Sequence, residues 1–341
     1  MTNYLPVKSI CRMSVLIILI ATGCKPKASE VKTIGTIERL DPELDHLITK
    51  DAVVEIISEG YDWSEGPVWV PQHTMLLWSD VPKNTIYKWT EEKGTEVYLT
   101  PSGYTGATPS LSKEPGSNGL TLSKDNKLVL CQHGDRKIAT MDAPLDQPTA
   151  SFTTVADKYD GKRFNSPNDL AYRSNGDLFF TDPPYGLPNN VDDSTKEIPF
   201  QGVYKVKPSG EVILLTDSLT RPNGIALTPD EKTLIVANSD PAKKIWYAFD
   251  LTPGDSLTNA RIFYDATNSP ETEKGGPDGF KIDRAGNVFA SGPGGIWIFN
   301  KDGKVLGKIK LPDAAANTAL SEDDKTLFIT NDMYVLRVKM R

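Results

Sequence analysis

Short apolar runs separated by Gly, Pro, Asn and Asp fill most of the chain, and one stretch shows the unit they build. Asn168 stands in a polar Pro-Asn turn after Arg163-Phe-Asn-Ser. An apolar run follows at Leu170 to Tyr172, then Asn175-Gly176, then Asp177 to Thr181, ending at Asp182. Two apolar runs joined by Asn-Gly predict a β-hairpin. Asn168 and Asp182 then sit at the same end of it.

The unit recurs. Glu65-Gly-Pro-Val-Trp precedes Met75 to Asp80; Ser117-Asn-Gly-Leu precedes Lys127 to His133; Pro222-Asn-Gly-Ile precedes Thr233 to Asn238. Pro277-Asp-Gly-Phe precedes Asn287 to Gly292, and Asn317-Thr-Ala-Leu precedes Thr326 to Asn331. A third apolar run completes each unit. The first-turn residues Glu65, Asn118, Asn168, Asn223 and Asp278 recur about every 50–55 residues, the spacing of propeller blades. An all-β, six-bladed β-propeller is the fold expected. A β-sandwich is the alternative, but it has no reason to repeat a Pro-Asn-Gly turn in register. The sixth unit lacks an outer strand before the chain ends, and Val53 to Ser58 can supply it, closing the ring and removing a free edge.

The N-terminus reads differently. Lys8 and Arg12 precede an apolar run, Met13 to Ala21, that is short of the roughly 20 residues needed to span a bilayer. Ala21-Thr-Gly-Cys24 resembles a lipobox, with Ala where Leu is usual. The expected layout is a lipoprotein signal peptide over 1–24 with Cys24 acylated, a tether over 25–48 and the propeller over 49–341. That places the protein at the periplasmic face of a membrane, held only by an N-terminal lipid anchor. A soluble periplasmic or secreted form follows if Cys24 is not modified. Cys131 then has no partner and is expected to be a small buried hydrophobe. The net charge of −7 gives no reason to expect a nucleic-acid partner.

Entry turns from different blades converge on the central channel of a propeller. Glu65, Asn168, Asn223 and Asp278 would therefore face one point. Asn and Asp before Gly are ordinary turn formers. Glu65 has no such role, so a carboxylate in that register points to a ligand. Two carboxylates and two amide oxygens suit a divalent cation with hard oxygen ligands, calcium before zinc, magnesium or manganese. The chain has no G-x-S-x-G elbow, Walker loop or H-E-x-x-H, and its three histidines are scattered.

Glu65-Gly-Pro-Val-Trp, Ser166-Pro-Asn-Asp, Thr181-Asp-Pro-Pro-Tyr-Gly, Arg221-Pro-Asn-Gly and Pro277-Asp-Gly together resemble the gluconolactonase / regucalcin / luciferin-regenerating-enzyme family. Cys131-Gln-His-Gly-Asp-Arg resembles its bacterial gluconolactonase branch. The resemblance runs from about Leu40 to the C-terminus. It implies a propeller holding one divalent ion and hydrolysing sugar lactones. It also implies that Glu65, Asn168 and Asn223 are ligands and that Asp278 is both ligand and catalytic acid/base. Animal members carry an Arg two places before the Asn of the third blade. Ser166 stands there in this chain, so their sugar selectivity does not transfer.

His133, at the end of a second strand, is expected to face the channel, as a proton shuttle or as a structural tie between blades. Asn118, Arg136 and Asp182 are candidates for substrate contact, and Asp182 alternatively steadies Asn168. Two long segments, Pro101 to Gly116 and Pro183 to Gln201, fall on the same face and are expected to wall the pocket. Two other functions remain open at this stage: an esterase or phosphotriesterase on the same ion, and a non-catalytic calcium-binding propeller that binds a partner or glycan.

Overall fold

Strands that carry apolar side chains on both faces need a neighbour on each side, and a ring of sheets provides that for every sheet. The computed structural model describes residues 1, 2, 4, 5, 31–254 and 256–341. They form two units, Met1–Val31 and Lys32–Arg341, and all the blades lie in the second. The signal-peptide reading, including Cys24, falls largely outside the described residues.

Among the described residues, the strands assemble into six antiparallel blades and one two-stranded ribbon. Blade one comprises Ser64–Val70, Met75–Asp80, Thr85–Thr90 and Gly94–Leu99. Blades two, three and four begin at Ser117–Leu122, Leu170–Tyr172 and Pro222–Leu227. Blades five and six begin at Phe280–Ile282 and Ala315–Leu320. These innermost strands touch in cyclic order, the sixth returning to the first.

Strand alternation explains the packing. Leu76 packs toward Phe328 of blade six, while the next residue, Leu77, packs toward Leu120 and Leu130 of blade two. Phe180 and Phe179 divide in the same way between blades two and four, and Phe289 and Ala290 between blades six and four. The second strands therefore read as unbroken apolar runs, as strands covered on both faces do. Cys131 is one such residue, fully buried between blades two and three.

Blade six is closed as expected. Glu55–Glu59 pairs antiparallel with Tyr334–Lys339. Arg337 Nε and Nη2 both donate to Glu55 Oε2, at 2.7 and 2.6 Å. The tether expected over 25–48 is corrected for its C-terminal part. Thr36–Arg39 adds a fifth strand to blade five, and Leu44 and Ile48 are buried in the core shared by blades five and six. Ile34, Ile37 and Leu47 pack against the same core and help dock it.

Candidate active site

Each entry turn is held in place by the strand that follows it. In Ser79-Asp80 and Thr181-Asp182, consecutive side chains point to opposite faces of a second strand. The hydroxyls reach the next blade: Ser79 Oγ donates to Asn118 O at 3.0 Å and Thr181 Oγ1 to Asn223 O at 2.6 Å. The carboxylates reach back to their own blade. Asp182 accepts from the N–H groups of Asn165 and Ser166, both at 2.8 Å, and Asp80 accepts from those of Asp62 and Trp63, both at 3.3 Å. Asn238 Oδ1 does the same for Arg221 N–H at 2.8 Å. Glycine after the turn residue permits close approach. Gly66 has φ +53°, and a Cβ there would lie 1.9 Å from Asn118 O. A Cβ on Gly224 would lie 2.2 Å from Asp278 O.

The result is a cavity of about 160 Å³ lined by Trp63, Glu65, Glu114, Asn118, Asn168, Tyr185, Asn223, Ser239 and Asp278. All four residues proposed as ligands from sequence line it, from blades one, three, four and five. Several oxygens in it are unspent. Asn118 Oδ1, Asn168 Oδ1 and Asp278 Oδ1 are buried with no hydrogen-bond partner. Asn223 Nδ2 donates to Ser239 Oγ at 2.9 Å, which leaves its Oδ1 free for the cavity. Glu65 Oε2 accepts from Gly66 N–H at 2.7 Å. Buried polar atoms without partners are costly unless something occupies the space between them. This oxygen set fits a hard divalent cation. Among the described residues, no cluster of three or more His, Cys, Asp and Glu is placed to hold a metal; the set here is two carboxylates with neutral amides.

The electrostatics agree. Burial raises Glu65 to about 8, against the hydrogen bond from Gly66. Burial, then the nearby Glu65, raises Asp278 well above the carboxylate range. The cavity resists two uncompensated negative charges, a penalty that a divalent cation would remove.

The other candidates are placed differently. Asn118 lines the cavity. Asp182 does not; it is fully buried beneath the Ser166-Pro167-Asn168 turn. Arg136 does not line the cavity either. Its backbone is left-handed at φ +58°, and its guanidinium donates to Phe164 O at 2.7 Å and Thr195 O at 2.9 Å, tying down the second long segment. Arg136 and Asp182 thus face backbone groups, and Asp182 takes the alternative place read for it, beneath the turn that carries Asn168. His133 is fully buried behind the cavity wall, with Nδ1 3.6 Å from Glu114 Oε2. Both long segments wall the pocket, through Glu114 and Tyr185. Sequence reasoning missed both residues, together with Trp63 and Ser239. Trp63 and Ser239 were open to prediction, since one lies two places before Glu65 and the other follows a second-strand end.

Residues 63–332 match the SMP-30/Gluconolactonase/LRE-like region. The chain belongs to this family. It is 41% identical over 318 residues to the gluconolactonase of Zymomonas mobilis, across 91% of this chain and 87% of that one. A solved gluconolactonase from Xanthomonas campestris aligns with a TM-score of 0.78 at 30% identity, covering 92% of this chain and 99% of that one. A calcium-binding protein, regucalcin, from Agrobacterium tumefaciens shares the fold at TM-score 0.63 and 19% identity, over 84% and 94% of the two chains. The entry turns and the cavity they form are thus set in a scaffold shared with both solved structures.

Proposed function

We propose that the protein is a divalent-cation-dependent hydrolase that opens sugar lactones. One observation carries the reading: two carboxylates and three amide side chains, from five blades, meet in one cavity, and the side-chain oxygens of Asn118 and Asn168 and one of Asp278 are buried there without partners. Family membership and the 41% identity to a gluconolactonase support it. The open, polar-lined cavity speaks against a channel plugged by apolar side chains, which a purely structural ion would favour.

Glu65, Asn168, Asn223 and Asp278 would hold the ion, with Asn118 beside them. When bound, the ion supplies Lewis-acid polarisation of the lactone carbonyl. Asp278 takes the proton of the attacking water, general-base help worth about 10²–10⁴-fold. Ser239 and the Thr181 hydroxyl fix Asn223 from side chain and backbone. Trp63 and Tyr185 shape the mouth against the sugar ring.

Asp278→Asn tests this: lactone opening should fall at least a hundredfold with calcium saturating. Activity near that of the parent would remove Asp278 from the chemistry. A sugar lactone, an aryl ester and a phosphotriester assayed in parallel separate lactonase from esterase or phosphotriesterase. The first 24 residues support export with acylation at Cys24, and loss of fatty-acid labelling in Cys24→Ser tests that.

A further inference from the structure

Opening an alkyl lactone makes two demands on protons. Water must lose one as it attacks, and the departing ring oxygen, a poor leaving group as alkoxide, must gain one. Asp278 answers the first. Glu114 is placed to answer the second. It lines the same cavity from a different loop, with its side chain 35% exposed. Behind it lies His133, fully buried, with Nδ1 3.6 Å from Glu114 Oε2 and neither ring nitrogen in a well-formed hydrogen bond. A fully buried imidazole turned toward a cavity carboxyl is an expensive arrangement to keep without use.

The loop that carries Glu114 is anchored. Asn84 Oδ1 accepts from the N–H groups of Ser102, Gly103 and Tyr104 at 3.0, 2.7 and 3.1 Å. Asp135 accepts from Thr105 N–H and Oγ1 at 3.1 and 2.7 Å. Gly116 N–H donates to Val81 O, and His133 N–H donates to Gly116 O. Glu114 and His133 are therefore fixed to one piece of backbone.

Resting on the lactonase reading, we propose that Glu114 is the proton donor to the leaving ring oxygen and that His133 is its positioning residue. The water oxygen bonds to the carbonyl carbon and its proton passes to Asp278. The ring C–O bond breaks, its electron pair goes to the ring oxygen, and that oxygen takes the Glu114 proton. Asp278 then returns its proton to Glu114, directly or through solvent, and one water is consumed. The titratable groups around Glu114 fit the role. Glu65, Asp278 and the Tyr185 phenol share its cavity, and His133 lies behind. Partial burial favours the protonated form of Glu114, and full burial favours the uncharged imidazole of His133.

The test compares glucono-1,5-lactone, which expels an alkoxide, with dihydrocoumarin, which expels a phenoxide whose conjugate acid has a pKa of about 10. Glu114→Gln should lower kcat on the sugar lactone about 10²–10⁴-fold. It should leave kcat on dihydrocoumarin within about tenfold, and abolish the alkaline fall of the sugar-lactone pH profile. His133→Asn should keep that fall but move it to another pH. Unchanged thermal melting shows that Glu114→Gln is folded. Equal loss on both substrates, or none on the sugar lactone, overturns the assignment to Glu114. A parent inactive on both lactones overturns the lactonase reading and this proposal with it.

Discussion

Asp182 offers the sharpest test of how the site is held. Its two carboxylate oxygens accept from Ser166 and Asn165 N–H at 2.8 Å, and all three residues are fully buried. Asp182→Ala leaves two buried N–H groups without acceptors, at about 1–3 kcal/mol each, so about 2–6 kcal/mol in all. The turn that relaxes carries Asn168, and loss of such a supporting bond typically weakens metal affinity about 10–100-fold. Asp182→Asn keeps one acceptor and should fall between. Urea unfolding and calcium titration calorimetry measure the two effects. If Asp182→Ala stays within about 0.5 kcal/mol of the parent and binds calcium equally well, the Ser166 Oγ–Pro183 O bond at 2.6 Å holds the turn and the reasoning is wrong.

Three further outcomes are expected. Burial raises Asp182 to about 7, so the folded state keeps a proton that the unfolded chain has lost; this group's contribution to stability should decline as pH rises from about 4 to 7, and Asp182→Asn should lose that slope. On the proposed metal site calcium would bind the ionised carboxyls, so affinity should weaken as pH falls below about 8 and binding should release protons, seen as buffer-dependent binding heats; proton-neutral binding would contradict this. Gly66→Ala forces a Cβ to 1.9 Å from Asn118 O at φ +53°, and should destabilise by about 2–5 kcal/mol in chemical denaturation, with a change under about 1 kcal/mol counting against the close approach.

The ring could be read from the sequence because its signal is repeated. Glu65, Asn118, Asn168, Asn223 and Asp278 announce themselves by a common register, and Glu65 by having no business in a turn. Glu114 and Tyr185 could not be found that way. They sit in long segments without periodicity, and the loop that carries Glu114 is held by remote bonds such as those to Asn84 Oδ1. Arg136 shows the opposite failure. Its place beside a second-strand end suggested substrate, but a left-handed backbone and two carbonyl acceptors turn it toward its neighbours. Thr36–Arg39 went unrecognised because a short polar strand on an outer edge carries little hydrophobic pattern.

The bond from Arg337 to Glu55 joins residues 282 positions apart. Joining ends that distant costs little more than a much shorter loop, because the entropy grows only with the logarithm of length, about 0.6 kcal/mol per doubling. Timing is another matter. On the ribosome, Glu55 emerges early and has no sheet to join until nearly the whole polypeptide has been made. In the ring blade six separates blades one and five, so the seating of Glu65 against Asp278 leans on a blade none of whose residues lines the cavity.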